Sequence, residues 1–409
     1  MRLDNIHTFT SLRNGNFRLY FIGMIGQWGS MNMGMLARSW VVYEISDSGI
    51  VLGLAALANA VPMILLSLWG GAIADRLHKK YILIVAMLAS AVVSAAVGVT
   101  LSVGYLSDTV PGSWWILIAA SVLQGGIMGL MMPARQSIIA EIVEPQDLMN
   151  AVSLNMMGMN TFRILAPAAT GFMMAAFGFA AIYYIMGGLY AFGAVCIMYL
   201  PRTAQKLSSG GSAWRDIIDG FSYIRREKTM LHILVFTLIG MICGMPFMQL
   251  MPMITRDILH VGESGQGILM SVSGVGAIVG SLALASGFRH RRGLTMIVTG
   301  LVNAIALAFF GFSQMWWLSL LTVVFVGFGQ TGYRAAGNTL VQHYTEPEYR
   351  GRVMSFIMMG IGFSSLGTFF AGILAQGFGV QWAIGGLAVL FAIVSVGYLM
   401  FSDRLRNLD

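Results

Sequence analysis

Between residues 18 and 401 the chain passes through twelve stretches of almost wholly apolar sequence, each closed by a short polar segment. A bilayer core takes about 20 apolar residues of α-helix to cross, and each stretch is long enough to do so. Charged residues are only 10% of the 409, against about a quarter in soluble domains. So few charges could not cover the surface of a soluble protein this size, so lipid must cover it. The spans are expected at about 18–45, 49–74, 81–103, 114–142, 151–177, 180–200, 230–253, 265–288, 294–313, 316–344, 353–376 and 380–401. The expectation is an all-α membrane protein of twelve transmembrane helices.

An even number of spans puts both termini on one side, and the basic residues say which. Arg2, Arg13 and Arg18 precede span 1, and Arg76, Lys79 and Lys80 lie between spans 2 and 3. Arg202, Lys206, Arg215, Arg225, Arg226 and Lys228 fill the central loop. Arg289, Arg291, Arg292, Arg350, Arg352, Arg404 and Arg406 complete nineteen of the 24 basic residues, all on one face. The opposite face has Arg256 beside Asp47, Asp108, Asp257 and Glu263. Loops rich in Lys and Arg stay in the cytoplasm, so both termini are expected there, as in a multi-pass protein of the bacterial inner membrane. The net charge of +7 is therefore topological and does not point to nucleic acid. The first apolar run is too long for a cleavable signal and has no small-residue cleavage site after it, so it is expected to remain as span 1. Cys196 and Cys243 both lie in apolar runs and imply no disulfide.

Residues 201–229 differ from the rest. Pro201 and Ser208-Ser-Gly-Gly-Ser212 read as a flexible linker. Trp214, Ile217, Ile218, Phe221, Tyr223 and Ile224 then form an apolar stripe among charges, as in a helix lying on the membrane surface. The segment separates an N-terminal bundle, 1–200, from a C-terminal bundle, 230–409. The halves repeat. Glu144-Pro145, Ser153, Met156, Met157 and Gly158 recur 202 residues later as Glu346-Pro347, Ser355, Met358, Met359 and Gly360. Gly171 and Gly178 recur as Gly372 and Gly379, Ser48-Gly49 as Ser264-Gly265, and His78-Lys79-Lys80 as His290-Arg291-Arg292. Two pseudo-symmetric six-helix bundles follow, and proteins built so place substrate at the repeat interface near the bilayer midplane.

Spans 2 and 3 are joined by Gly71-Ala-Ile-Ala-Asp75-Arg76-Leu-His-Lys79-Lys80. Gly-x-x-x-Asp-Arg-x-x-basic-basic at this place resembles the loop motif of the major facilitator superfamily. Pro133-Ala-Arg135-Gln136, Glu144-Pro-Gln-Asp147, the stretch from Asn160 to Gly171, and Arg350-Gly351-Arg352-Val353 extend the resemblance over nearly the whole chain. The set is similar to the branch that includes the enterobactin exporter and macrolide-efflux proteins. The resemblance implies export from the cytoplasm by alternating access, often proton-driven. The span-5 string resembles the antiporter motif Gly-Pro-x-x-Gly-Gly, with Pro167 and Gly171 kept and Ala166 and Thr170 in place of two glycines. Small residues still allow close helix approach. The second-half loop has Phe288 and Arg289 in the region matching Asp75-Arg76. A carboxylate at the membrane surface can face the positive end of a helix dipole. The resemblance implies that Asp75 does so at span 11, latching the halves.

Charges inside the membrane cost about 2.5–3.5 kcal/mol or more, so each is a functional candidate. The basic set is Arg38, Arg135, Arg163 and Arg334, with Arg163 nearest mid-depth. The acids are peripheral: Glu44 at the outer end of span 1 and Glu141 at the inner end of span 4. The interior is therefore electropositive and suits an anionic or amphipathic small molecule, such as a carboxylate- or catecholate-bearing siderophore. Alternatively, these arginines bond to backbone carbonyls and to neighbours such as Asn160. Gln27, Asn32, Asn59, Gln124, Asn155, Gln249, Gln330, Tyr333 and Asn338 lie at similar depth, as binding groups or interhelical glue. The substrate set is thus Gln27, Asn32, Arg38, Gln124, Arg135, Arg163, Gln249, Gln330 and Arg334. The loop and gating set is Gly71, Asp75, Arg76, Lys79, Lys80, Pro167 and Gly171. Glu44, Glu141 and His343 are the groups able to carry a coupling proton, and proton coupling itself rests on the resemblance.

The 31 methionines include Met31/Met35, Met128/Met131/Met132 and Met241/Met245/Met248 at helical spacing. They read as core filling or as a pliable surface for an amphipathic ligand. No Cys or His joins them, which argues against copper. Gly240, Gly244 and Pro246 are expected to loosen span 7. No phosphate-binding loop, metal cluster or nucleophile elbow is present, so neither an enzyme nor a cofactor is expected. A functional monomer exporting by proton antiport is the first reading. An anion importer or facilitator of the same fold, and a non-transporting sensor or lipid-moving protein, are the alternatives.

Overall fold

The computed structural model describes residues 7–201, 222–287, 291–346 and 349–408, and these are helical with short connections. A 3-10 turn, His7–Arg13, leads into α1 (Gly15–Ser46). Asn14 starts that helix, its Oδ1 accepting from the backbone N–H of Asn16 at 2.9 Å and of Phe17 at 3.2 Å, as a helix N-cap does. α2 (Gly49–Arg76), α3 (Lys79–Ser102), α4 (Trp115–Ile142) and α5 (Leu148–Met198) follow. After the linker come α6 (Lys228–Gly244), α7 (Pro246–Asp257), α8 (Gly262–Gly287), α9 (Arg292–Phe312), α10 (Trp316–Tyr344), α11 (Arg350–Phe378), α12 (Val380–Phe401) and the short α13 (Asp403–Arg406).

Eight of these segments are apolar enough over their length to cross a membrane on composition alone. Twelve crossings result from three further facts. The 51 residues of α5 rise about 76 Å at 1.5 Å per residue, enough for two crossings. α1, α10 and α11 have 32, 29 and 29 residues and span despite their polar side chains. α6 and α7 are halves of one crossing, broken at Met245 before Pro246. Proline lacks the N–H that would continue the ladder, so the loosening expected from Gly240, Gly244 and Pro246 is a helix break.

The repeat is visible in the backbone. α5 turns between its two arms at Gly178, with φ 79° and ψ 172°. α11 gives way to α12 at Gly379, with φ 88° and ψ 152°. A residue with a Cβ is disfavoured in that region. The same residue type therefore makes the same turn 201 positions apart.

The chain divides into two compact units: Met1–Val41 with Ala58–Gly210, and Val42–Leu57 with Gly211–Asp409. In unit 1 the core is a ladder of Phe17, Tyr20, Met24 and Trp28 from α1 against Leu83, Met87, Ile138, Ile139 and Leu154. In unit 2 it is built around Phe236, Tyr333 and Phe391, with ring centroids 5.6 and 5.7 Å apart along the series Phe236–Phe391–Tyr333. Large apolar side chains such as Trp69, Val92, Phe177, Trp317 and Phe370 point outward, where lipid is their solvent.

Lipid tails are as apolar as the helices, so close packing rather than hydrophobic exclusion holds the spans together. Glycine makes the closest approaches. A Cβ on Gly125 of α4 would stand 2.0 Å from the carbonyl oxygen of Asn59 in α2, and one on Gly327 of α10 would stand 1.9 Å from that of Ser273 in α8. The α2/α4 and α8/α10 crossings are thus built alike in the two halves. Of the linker expectations, the Ser/Gly stretch and most of the surface helix, residues 202–221, lie outside the described residues. Residues 222–226 are helical. Tyr223 there stacks on Tyr349, centroids 4.4 Å apart, and its hydroxyl accepts from the Glu346 backbone N–H at 3.3 Å.

Candidate functional site

Unit 1 gathers polar side chains from α1, α3, α4 and α5 in its interior. Gln27 is fully buried, donates to Met131 Sδ at 3.8 Å and accepts from Arg135 Nη1 at 3.5 Å. Arg135 Nη2 also lies 3.0 Å from Met132 Sδ. Gln124, about three turns earlier on α4, donates to Ser90 Oγ at 3.2 Å and to the Tyr190 hydroxyl at 3.3 Å. The Tyr20 hydroxyl donates to Asn155 Oδ1 at 3.5 Å. Tyr20 and Tyr190 lie in electrostatic range of Arg135, and Tyr183 and Tyr190 in range of Arg38. Tyr190 is thus within electrostatic range of both guanidiniums. Neither arginine has a carboxylate partner among the described residues.

Both arginines are half-buried, and a cation taken even partly out of water without a counter-ion is costly. The Gln27 amide oxygen, accepting from Arg135, offsets part of that cost. A bound anion would offset more. Sequence reasoning named the two arginines and the amides but missed Tyr20, Ser90, Tyr183 and Tyr190. Tyr183 and Tyr190 are seven residues apart, two helical turns, and this spacing on one face was the available signal.

The other expected residues are placed differently. Asn32 bonds back to the Trp28 carbonyl of its own helix at 2.9 Å, and Asn59 donates to the Ser121 carbonyl across the α2/α4 crossing at 3.2 Å. Asn59 is interhelical glue. Arg163 is exposed on the first arm of α5.

In unit 2 the polar groups meet at the broken span. Gln330 Nε2 and Arg334 Nη1, one turn apart on α10, reach Met245 Sδ at 3.3 and 3.9 Å. Met245 is the residue between α6 and α7, so the break is where these side chains arrive. Gln249 is half-buried on α7, and its side chain makes no hydrogen bond among the described residues. Gly244 leaves room for Asn303 and Tyr333: a Cβ there would stand 3.2 Å from Asn303 Oδ1 and 3.8 Å from the Tyr333 hydroxyl. Both of those buried atoms lack a hydrogen-bond partner among the described residues.

The loop-motif residues divide. Lys79 forms an ion pair with Glu141 of α4, both side chains about 15% exposed. Lys80 donates to the Leu200 carbonyl. Each of the two motif lysines thus ties the start of α3 to a neighbouring span. Gly71 faces open space. The side chains of Asp75 and Arg76, and with them the expected latch, lie outside the described residues. Pro167 and Gly171 are buried within α5, and Thr170 between them turns its hydroxyl back onto the Ala166 carbonyl at 2.6 Å.

Of the proton candidates, Glu141 is held by Lys79. His343 is exposed in the last turn of α10, edge-on to Tyr344. Glu44 belongs to a cluster at the membrane face away from the chain ends, all within unit 2. Arg256 Nη1 reaches Asp47 Oδ1 at 3.2 Å, and its Nε reaches Glu44 at 3.7 Å and Asp257 at 3.9 Å. The Arg256 guanidinium sits 5.2 Å from the Tyr43 ring centroid, and the Tyr43 hydroxyl donates to Asp257. Beside it Gln376 of α11 accepts from Ser48 Oγ at 3.1 Å and from the Gly49 N–H at 3.2 Å, capping α2.

Comparison with known proteins agrees with this architecture. Over 402 residues the chain is 23% identical to the staphyloferrin A transporter of Staphylococcus aureus, a match spanning 95% of this chain and 96% of that one. It is 22% identical over 413 residues to macrolide efflux protein A of Streptococcus pyogenes, spanning 96% and 98%. Among solved structures, a variant of the nucleoside transporter NupG superposes with a TM-score of 0.79 at 14% identity, over 93% of this chain and 99% of that one. The D-xylose–proton symporter superposes with a TM-score of 0.71 at 12% identity, over 95% and 99%. These structures share the twelve-helix major facilitator fold. Residues 6–409 match the family described as transmembrane secretion effector. The chain is a multi-pass membrane transporter, not an enzyme, and belongs to the transmembrane secretion effector family of the major facilitator superfamily.

Proposed function

We propose that the protein exports a small anionic or amphipathic molecule, of siderophore or drug size, by alternating access in exchange for protons. The observation that carries the anionic reading is the pair Arg38 and Arg135, set among tyrosines and amides with no carboxylate partner among the described residues. A cationic cargo would meet two like charges there, and an anionic one two donors. Export is supported by the relatives named for macrolide efflux. Anionic, chelate-like cargo is supported by the resemblance noted in the sequence and by the match to a staphyloferrin A transporter. The basic loops support cytoplasmic termini, with the two six-span halves joined through 201–229 and a monomer as the working unit.

The outer cluster supports the alternating-access part. Its ion pairs are 38–75% exposed, and pairs of that kind contribute about 0–1 kcal/mol each. Contacts that weak can part and reform in every cycle, as a gate must. Glu44 is the proton candidate within it.

The test is a pH-sensitive dye inside proteoliposomes under an imposed proton gradient. Anionic chelators, macrolides and cationic dyes are added in turn. Proton movement driven by the anionic set is expected, and loss of it in Arg135→Gln. A response to cations alone overturns the arginine argument. Transport of the anionic set without proton movement makes the protein a facilitator.

A further inference from the structure

α6 begins and α12 ends at the same membrane face, and a cleft of about 670 Å³ opens between them. Its two ends differ in chemistry. At the level where His232 Nδ1 and the Tyr398 hydroxyl stand 3.4 Å apart, the walls become polar. Toward the membrane interior, the lining is Ile239, Val394 and Gly397. Ile239 is seven residues past His232, about 10 Å deeper. Gly397 leaves open space where a side chain would stand, with nothing within 4 Å of its Cβ position. Toward the surface, the lining is Phe401 followed by the polar Ser402, Asp403 and Arg404.

The charge at the surface end is positive. Asp403 is neutralised by an ion pair with Arg406. Arg406 also donates to the Leu399 carbonyl at 3.4 Å, covering part of the negative end of α12. Arg404 is exposed and has no acidic partner among the described residues. Lys228 stands one turn before His232 on the same face of α6 and is also exposed. The neighbouring α12 side chains Met400 and Phe401 are 66% and 84% exposed, so this side of the helix is against lipid.

We propose that the cleft is a binding site for one anionic phospholipid of the leaflet on that side. The phosphate sits against Arg404 and Lys228, with the Tyr398 and Ser402 hydroxyls as donors. An acyl chain runs down Val394, Gly397 and Ile239. A basic pocket between spans at the membrane surface is a recurrent headgroup site, and the polar-to-apolar gradient here runs in the same direction as that of a lipid. The occupant spans α6, half of the broken span, and α12, so it would brace that half.

The test uses the full-length protein in detergent, with phosphatidylglycerol, phosphatidylcholine or glycerol 3-phosphate added, reading the thermal midpoint and the lipid retained in native mass spectrometry. Phosphatidylglycerol is expected to raise the midpoint by several degrees and to remain bound at one per chain, with no effect from the other two. The double variant Lys228→Gln/Arg404→Gln should lose the shift and retain at least tenfold less lipid. Gly397→Leu, which fills the apolar part and keeps the charges, should do the same. Both variants should melt like the wild type in phosphatidylcholine, and retained-lipid counts decide for any that does not. An equal shift with phosphatidylcholine, full retention by both variants, or a shift reproduced by glycerol 3-phosphate overturns the proposal.

Discussion

Arg38 and Arg135 each carry a cost of about 2.5–3.5 kcal/mol for residing in a span, and neither recovers it from a carboxylate among the described residues. Replacing Arg135 or Arg38 by glutamine should leave the melting temperature unchanged or higher. Uptake of an anionic substrate into inverted vesicles should fall at least tenfold in kcat/KM, equivalent to about 1.4 kcal/mol. Tyr190→Phe, which removes the hydroxyl that Gln124 bonds, should cost less, about two- to fivefold. The charged members of this cluster were legible because an arginine in an apolar run has no ordinary reason to be there. Its tyrosines were not, because a tyrosine in such a run reads equally as packing. The pair Lys79–Glu141 shows the reverse. Both residues were singled out, one for gating and one for protons, and only the fold shows that they bind each other. Lys79→Ala leaves a mostly buried carboxylate unpaired and should lower stability by about 1–3 kcal/mol. Lys79→Ala/Glu141→Ala should recover most of it, as measured by thermal unfolding of the two variants side by side.

Helix limits agree with the apolar runs to within about four residues, because the bilayer dictates length more strictly than a soluble core does. Two elements carry more than length. The turns at Gly178 and Gly379 need positive φ, so Gly178→Ala should cost about 1–2 kcal/mol. The readout is a lowered melting midpoint, with a matched loss in Gly379→Ala as the check on the repeat. The α8/α10 crossing tolerates no Cβ at Gly327. Gly327→Val should force the helices apart, costing about 1–3 kcal/mol or more, visible as reduced yield of monodisperse protein. Gly125 with Gly129, and Gly276 with Gly280, are spaced four apart. That small-residue spacing was a legible sign of these contact faces. Which helix each face meets was not, since a span's sequence records its environment and not its neighbour.

Taken as a whole, the molecule does not divide where its sequence repeat does: residues 42–57 belong to the unit built by the second half. Nothing in the run of apolar residues marks that exchange, because it depends on Arg256, Gln376 and Gly372 meeting residues about 200 to 330 positions earlier. Arg256→Ala should loosen this face. With Val51→Cys, whose site is 8% exposed, labelling by a membrane-impermeant maleimide should speed up severalfold when Arg256 is replaced. Cys196 and Cys243 are both buried, which keeps the background low. The same exchange reaches back to how the protein is made. The Gly49 N–H finds its acceptor 327 residues downstream, and ribosomes add about 5–20 residues per second. Residues 42–57 must therefore wait about 16–65 s before their final partners exist, and during that interval this end of α1 and α2 depends on lipid or the insertion machinery for cover.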